Sequence, residues 1–200
     1  MKSVRRKAIQ SQKNNRAPGD DRITNELLKS IIDIIDKPLQ ILYNEILSKE
    51  QTPLQWTKST IVLIHKKGDK EKIENYRPIS LMTNLYKIFS KIILGRLTKG
   101  LDEQQPKEQA GFRSDFSTID HIHVANQVME KYNEYGKTYY IAFVDYNKAF
   151  DSLIHKHIYK ALENQGVNRK YIRIIKQIYE NSIAMVHRKK MKINFQLRKG

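Results

Sequence analysis

Tyr139-Tyr140-Ile141-Ala142-Phe143-Val144-Asp145-Tyr146-Asn147-Lys148-Ala149-Phe150-Asp151 is the stretch on which the reading of the fold turns. Its first six residues are uncharged and rich in aromatic and β-branched side chains, the composition of a buried strand. The run stops abruptly at a carboxylate. An acid delivered at the end of a buried strand is a helix cap, one half of an ion pair or a metal ligand. Asp151 stands where the next helical stretch begins and is the better cap candidate, which leaves Asp145 without a structural role.

Working outward, two helical stretches follow, over residues 157–165 and 168–181, parted by Gly166, and residues 184–197 read as two short strands. Upstream, residues 118–135 carry a helical pattern stopped by Gly136. Residues 101–117 are polar, contain Pro106 and Gly111, and form a functional-loop candidate. Residues 81–97 place Leu85, Ile88, Phe89, Ile92, Ile93 and Leu97 at three- and four-residue spacing, an amphipathic helix that Gly100 is expected to end. Before it, Thr60-Ile61-Val62-Leu63-Ile64 and a second extended segment near residues 76–80 flank Lys66-Lys67-Gly68-Asp69, a hairpin with a basic tip. Residues 24–49 read as two helices, with Pro38 opening the second. Helices alternating with strands indicate a mixed α+β fold.

The chain has 200 residues, 40% hydrophobic and 29% charged, which suits one globular unit or a piece of a larger one. It contains no cysteine, which excludes disulfide scaffolds, thiolate metal sites and cysteine nucleophiles. With 37 basic and 21 acidic residues the net charge is +16, so the expected partner is polyanionic. The longest apolar runs are far too short to cross a bilayer core of ~30 Å. The N-terminal Met1-Lys2-Ser3-Val4-Arg5-Arg6-Lys7 lacks the apolar segment of a secretory signal and reads as a solvated lead-in. An intracellular protein without a membrane partner follows as the expectation.

Several possible motifs have plainer readings. Gly136-Lys137-Thr138 resembles the end of a phosphate-binding loop, but Lys131 stands where that loop needs glycine, and the segment precedes a strand instead of following one. His121/His123 and His155/His157 lie two residues apart, and on helices such pairs do not share a face. Trp56 and the tyrosines read as packing residues. The hairpin is a stronger candidate. Lys66, Lys67 and Arg77 combine mobile point charges with a planar fork, a set able to grip adjacent phosphates, and Pro78 fixes an extended backbone beside Arg77. A solvated turn remains the alternative for so basic a chain.

Five segments in one order resemble the reverse transcriptases of non-LTR (LINE-type) retrotransposons. Ala17-Pro18-Gly19-Asp20-Asp21-Arg22-Ile23 is similar to the family's N-terminal motif. Leu63-Ile64-His65-Lys66-Lys67-Gly68 and Asn75-Tyr76-Arg77-Pro78-Ile79-Ser80-Leu81 resemble its fingers motifs, and Gln109-Ala110-Gly111-Phe112-Arg113 resembles the next. Phe143-Val144-Asp145-Tyr146-Asn147-Lys148-Ala149-Phe150-Asp151-Ser152 is similar to the palm motif that holds the first catalytic aspartate.

The resemblance implies a right-hand polymerase: a basic lead-in over residues 1–13, fingers over residues 14–136, and the opening, incomplete part of the palm over residues 137–200. It implies an RNA-directed DNA polymerase, a nucleotidyltransferase that extends a DNA primer on an RNA template with dNTP. Asp145 would be the catalytic carboxylate, binding two Mg2+ ions with the backbone carbonyl of Tyr146. Lys66 and Arg77 would clamp the triphosphate, and Phe150 would exclude a 2′-hydroxyl by bulk. Lys67 and Arg113 would contact nucleic acid. Nucleus and cytoplasm are the compartments the family implies.

Two departures stand out. Arg22 occupies a position where the family often has glycine. The last residues, Phe195-Gln196-Leu197-Arg198-Lys199-Gly200, resemble the lead into the family's glycine-glutamine motif, and no Tyr/Phe-x-Asp-Asp segment follows in the sequence. The 200 residues are therefore expected to be catalytically silent and poorly soluble alone. The rival reading is a non-catalytic, basic nucleic-acid-binding relic or host-adopted piece of such an element. A group II intron-type polymerase is the alternative within the enzyme class.

Overall fold

The basic N-terminal residues do not stay in solvent as a lead-in. In the computed structural model, which describes residues 2–188 and 191–196, they form α1 (Lys2–Gln10), with Ala8 and Ile9 buried. Arg5 enters with them at 5% exposure because Asp36 and Gln40 accept its hydrogen bonds, from Nε at 3.0 Å and from Nη2 at 3.2 and 3.1 Å respectively. A buried guanidinium is tolerated only when its donors are satisfied in this way.

The next apolar pattern divides at Ile31, not at Pro38, giving α2 (Asn25–Ser30) and α3 (Ile32–Lys49). Pro38 lies inside α3. It removes a bond to the carbonyl of Ile34, but Ile34 and Pro38 share the exposed face, where water can take that carbonyl, so the helix continues. The Thr24 side chain accepts from Leu27 N and caps α2. After α3, Trp56 is carried into the interior on a short 3-10 helix, Leu54–Thr57.

The hairpin forms where a β-branched run and a second extended run flank a turn: β1 (Lys58–His65) pairs antiparallel with β2 (Tyr76–Leu81). α4 (Asn84–Glu103) follows, capped by Thr83, and runs through Gly100, which does not end it. α5 (Thr118–Glu134) stops before Gly136, whose φ is +60°. The final helices are α6 (His155–Asn164) and α7 (Arg169–Glu180), with Gly166 between them. Ile154 is the residue preceding α6, so Asp151 does not cap it. The two C-terminal strands are β3 (Ile183–Arg188) and β4 (Met191–Gln196). Residues 197–200, the end of the glycine-glutamine resemblance, lie outside the described residues.

The sheet order is β2-β1-β3-β4, with β3 parallel to β1 and antiparallel to β4. The core gathers Leu28, Leu39, Tyr43, Trp56, Phe89 and Ile174 among others. Tyr43 and Trp56 lie 5.3 and 5.4 Å from the Phe89 ring, offset contacts that add to burial worth about 1.5–3 kcal/mol for a side chain of this size. α7 is tied to the end of α3 by polar bonds: Thr52 N and Oγ1 donate to Gln177 Oε1 at 3.1 and 2.6 Å, and Arg173 pairs with Glu50. That guanidinium holds the Glu50 carboxyl below its ordinary pKa.

The largest departure from the sequence reading concerns residues 139–144, which are not a strand. Tyr140, Phe143 and Val144 are 95%, 92% and 80% exposed. A strand exists only as part of a ladder, and among the described residues no neighbour bonds to this segment. The result is a mixed helical and sheet structure whose ordered sheet is built from the hairpin and the last two strands.

Candidate nucleotide and nucleic-acid site

The hairpin places its cations by register. Ile64 pairs with Arg77 and His65 with Tyr76, and the ladder is extended by a bond from Lys66 N to Asn75 O at 2.8 Å. Side chains alternate across a strand, so Lys66, Ile64 and Arg77 share one face while His65 and Tyr76 take the other. Both cations are exposed. The opposite face is closed by the His65 and Tyr76 rings, 5.2 Å apart and edge to face.

The tip between the strands is held by side chains that sequence reasoning did not single out. Asn75 Nδ2 donates to Asp69 O at 2.8 Å and Tyr76 Oη donates to Lys70 O at 2.9 Å. His65 Nε2 lies 3.1 Å from Gly68 O. Gly68 has φ +84° and its bare Cα faces the Asn75 amide, so a side chain there would be strained in both backbone and space. Lys67 projects from this braced turn and is exposed. The legible signal was local: the Asn-Tyr pair stands directly before Arg77 and closes a turn that glycine opens.

A second braced element is the loop of residues 17–23. Gly19 is buried against the backbone of residues 82 and 83, where a Cβ would come within 2.6 Å of Thr83 N. Arg22 adopts φ +56°, the left-handed conformation for which glycine is suited. Asn84, with 0% exposure, donates from Nδ2 to Ile23 O at 2.7 Å. Burial pulls the nearby Lys87 ammonium below its ordinary pKa, with Asp21 opposing.

Arg113 is turned toward its own loop. Its Nη1 donates to Pro106 O and Gln109 O, both at 3.2 Å, its Nε lies 3.9 Å from Asp102, and its guanidinium sits 4.5 Å over the Phe116 ring. Phe112, at φ +64° and 94% exposed, meets the Phe150 ring edge to face at 5.6 Å. The structure therefore brings the Gln109–Arg113 loop and the Asp145 segment together through two aromatic rings.

Asp145, Tyr146 and Phe150 follow one another along an exposed stretch, Tyr146 at 77% and Phe150 at 64%. A bond from Ser152 N to Lys148 O closes a single helical turn behind Asp145. Asp145 can offer a carboxylate to a cation. Among the described residues, however, no group of three or more His, Cys, Asp or Glu side chains is placed to hold a metal ion. One carboxylate does not satisfy the six oxygen ligands of Mg2+, still less two such ions, so the described residues do not by themselves make up a two-ion site. Among the described residues no helix is long and apolar enough to cross a membrane.

Comparison with known proteins places this geometry in context. The sequence model of the family described as Reverse transcriptase (RNA-dependent DNA polymerase) matches residues 64–200. The chain is 35% identical over 153 residues to the probable RNA-directed DNA polymerase from transposon BS of Drosophila melanogaster, covering 74% of this chain and 17% of that protein. It is 34% identical over 152 residues to the RNA-directed DNA polymerase from mobile element jockey of the same organism, covering 73% and 16%. Similarity to the transposon TX1 uncharacterized 149 kDa protein of Xenopus laevis is 26% over 190 residues, covering 95% and 14%. The chain spans about a sixth of the length of these curated relatives.

Proposed function

Because the chain belongs to the reverse transcriptase family and is similar to the polymerases of LINE-type non-LTR elements, we propose that it is the fingers and opening palm of an RNA-directed DNA polymerase. In this reading residues 14–136 are fingers, residues 137–200 belong to the palm, and residues 1–13 lead into them. The substrates are dNTP, an RNA template and a DNA primer, and the working compartments are nucleus and cytoplasm.

The observation that carries the reading is the shared face of Lys66 and Arg77 on a braced hairpin. A flexible ammonium and a planar guanidinium side by side bind adjacent phosphate oxygens and stabilise charge as it develops on a pyrophosphate leaving group. The braced hairpin fixes the backbone from which both cations extend, so less freedom is lost when they close on a ligand. Lys67, at the tip, and Arg113, through its remaining exposed edge, would touch the nucleic-acid backbone. Phe150, braced by Phe112, would lie against the sugar and reject a 2′-hydroxyl by steric bulk.

Asp145 and the Tyr146 carbonyl would be this chain's contributions to the Mg2+ ions, which in the family activate the primer hydroxyl and neutralise the triphosphate. Exposure of Asp145, with no described bond to occupy its oxygens, supports that role. In a polymerase carrying this sequence, Asp145→Asn should abolish dNTP incorporation on a primed RNA template while leaving the thermal melt unchanged. Near-normal incorporation by the variant would remove Asp145 from the chemistry and favour the non-catalytic, charge-driven nucleic-acid-binding reading.

A further inference from the structure

Two grooves flank α4 and share Phe89, Lys91 and Ile93. The groove formed with α1 and α3 is a cavity of about 430 Å³ floored by Tyr43, Leu47, Phe89 and Ile92. Its rim carries Lys7, Lys91 and Arg96, and among the described residues no carboxylate lines it. Among the described residues neither Lys7 nor Lys91 has an acidic partner. The volume lies within the range of pockets that take up ligands or side chains, about 300–1,000 Å³.

Gly95 lines the same cavity. It stands in the interior of α4, where glycine costs about 1 kcal/mol relative to alanine. A Cβ at Gly95 would meet nothing within 4 Å. Among the described residues none crowds this position, so the edge of the cavity at Gly95 is open space that a larger side chain would enter.

The chain itself carries a segment of complementary chemistry. α5 has no buried residue and exposes Ile119, Ile122, Val128 and Tyr132. It holds Asp120, Glu130 and Glu134 against the single Lys131, a net −2 in a chain of net +16. At 3.6 residues per turn Ile119, Ile122 and Met129 fall on one side with Glu130 and Glu134 on its flank, while Asp120, beside them, closes the α5 capping box with Ser117. A nucleic-acid strand would find no ring to stack on, with Tyr43 4% and Phe89 1% exposed, whereas an apolar helix face would meet the open rim at Val4 above that floor.

We propose that the basic groove between α1 and α4 receives α5 of a second copy of this chain, its apolar stripe over Gly95 and its acidic edge against Lys7 and Lys91. Helix-in-groove docking of this type joins two different surfaces, so each copy offers one of each. The inference is independent of polymerase chemistry.

The test is complementation by sedimentation analysis of the 200-residue chain at roughly 100 µM, well above the dissociation constant of a moderate interface. The wild-type chain associates at low salt, and association weakens at least about fivefold when salt is raised to ~0.5 M. Gly95→Leu fills the groove and strengthens the helix; Ile122→Asp spoils the stripe at a position that is 58% exposed. Each variant alone is monomeric, and an equal mixture forms a 1:1 complex, because one retains the groove and the other retains α5. A monomeric wild type, wild-type association by either variant, or a mixture that stays monomeric would each overturn the proposal.

Discussion

Phe89 and Phe143 belong to one chain, have the same side chain and sit among comparably apolar neighbours, yet the first is 1% exposed and the second 92%. Phe89 lies on α4, in contact with the Tyr43 and Trp56 rings and in one buried cluster with side chains of α1, α3 and α7. Phe143 lies in the region of residues 105–154, in which Ala110 is the single buried residue. The contrast shows that apolar composition marks where a core could form, while burial requires a second surface to arrive. It also separates the proposed site residues: Lys66 and Arg77 ride on a hairpin anchored to packed elements, whereas Asp145 rides on an exposed segment held by local turns and the Phe112–Phe150 contact.

The sharpest way to break this contrast is to truncate both rings. Phe89→Ala should destabilise the chain by about 3–5 kcal/mol, the cost of a cavity in a packed core. Phe143→Ala should change stability by no more than about 0.5 kcal/mol, as for any exposed site. Urea denaturation followed by Trp56 fluorescence measures both, and equal losses would mean that residues 139–144 are packed in solution. Next in size, Lys66→Ala or Arg77→Ala in a polymerase carrying this sequence should raise the KM for dNTP by about 10- to 100-fold, from the loss of charge-assisted hydrogen bonds. Steady-state kinetics with unchanged KM in both variants would remove the clamp.

A smaller effect probes the loop of residues 17–23. Arg22→Gly relieves a left-handed arginine at the cost of added chain entropy, so stability should rise by about 0.5 kcal/mol, or roughly 1–2 °C in Tm. A fall in Tm would show that the Arg22 side chain contributes contacts that outweigh its backbone strain. The mildest test is spectroscopic. Burial, helped by Glu180 and Tyr179, pushes the Tyr159 phenol up to about 12. The folded chain then holds this proton when the unfolded chain has released it near pH 10, so stability should fall as pH rises from about 10 to 12. Tyr159→Phe should flatten that decline in thermal melts taken across this range.

Local chemistry was legible in the hairpin and in the helix that follows it. The hairpin follows from a β-branched run, a Gly-Asp turn and a second extended run, and its register then brings Lys66 and Arg77 to one face. The helical period of residues 81–97 located Ile88, Phe89, Ile92 and Ile93 in the core. The left-handed Arg22 matches the position where glycine was expected. What escaped the sequence were consequences of contacts distant in the chain. Arg5 becomes an interior residue because Asp36 lies 31 positions away, and Pro38 is tolerated because its face of α3 meets water. Asn84 anchors a loop 61 positions earlier, which no local pattern announces.

The sequence by itself determined the family, the basic character and the identity of the chemical groups, since these depend on which residues occur and in what order. Tertiary structure alone decided which apolar segments became core. It paired β1 with β3 across more than a hundred residues and, among the described residues, gave 139–144 no ladder, because a strand's hydrogen bonds and a side chain's burial are properties of two surfaces.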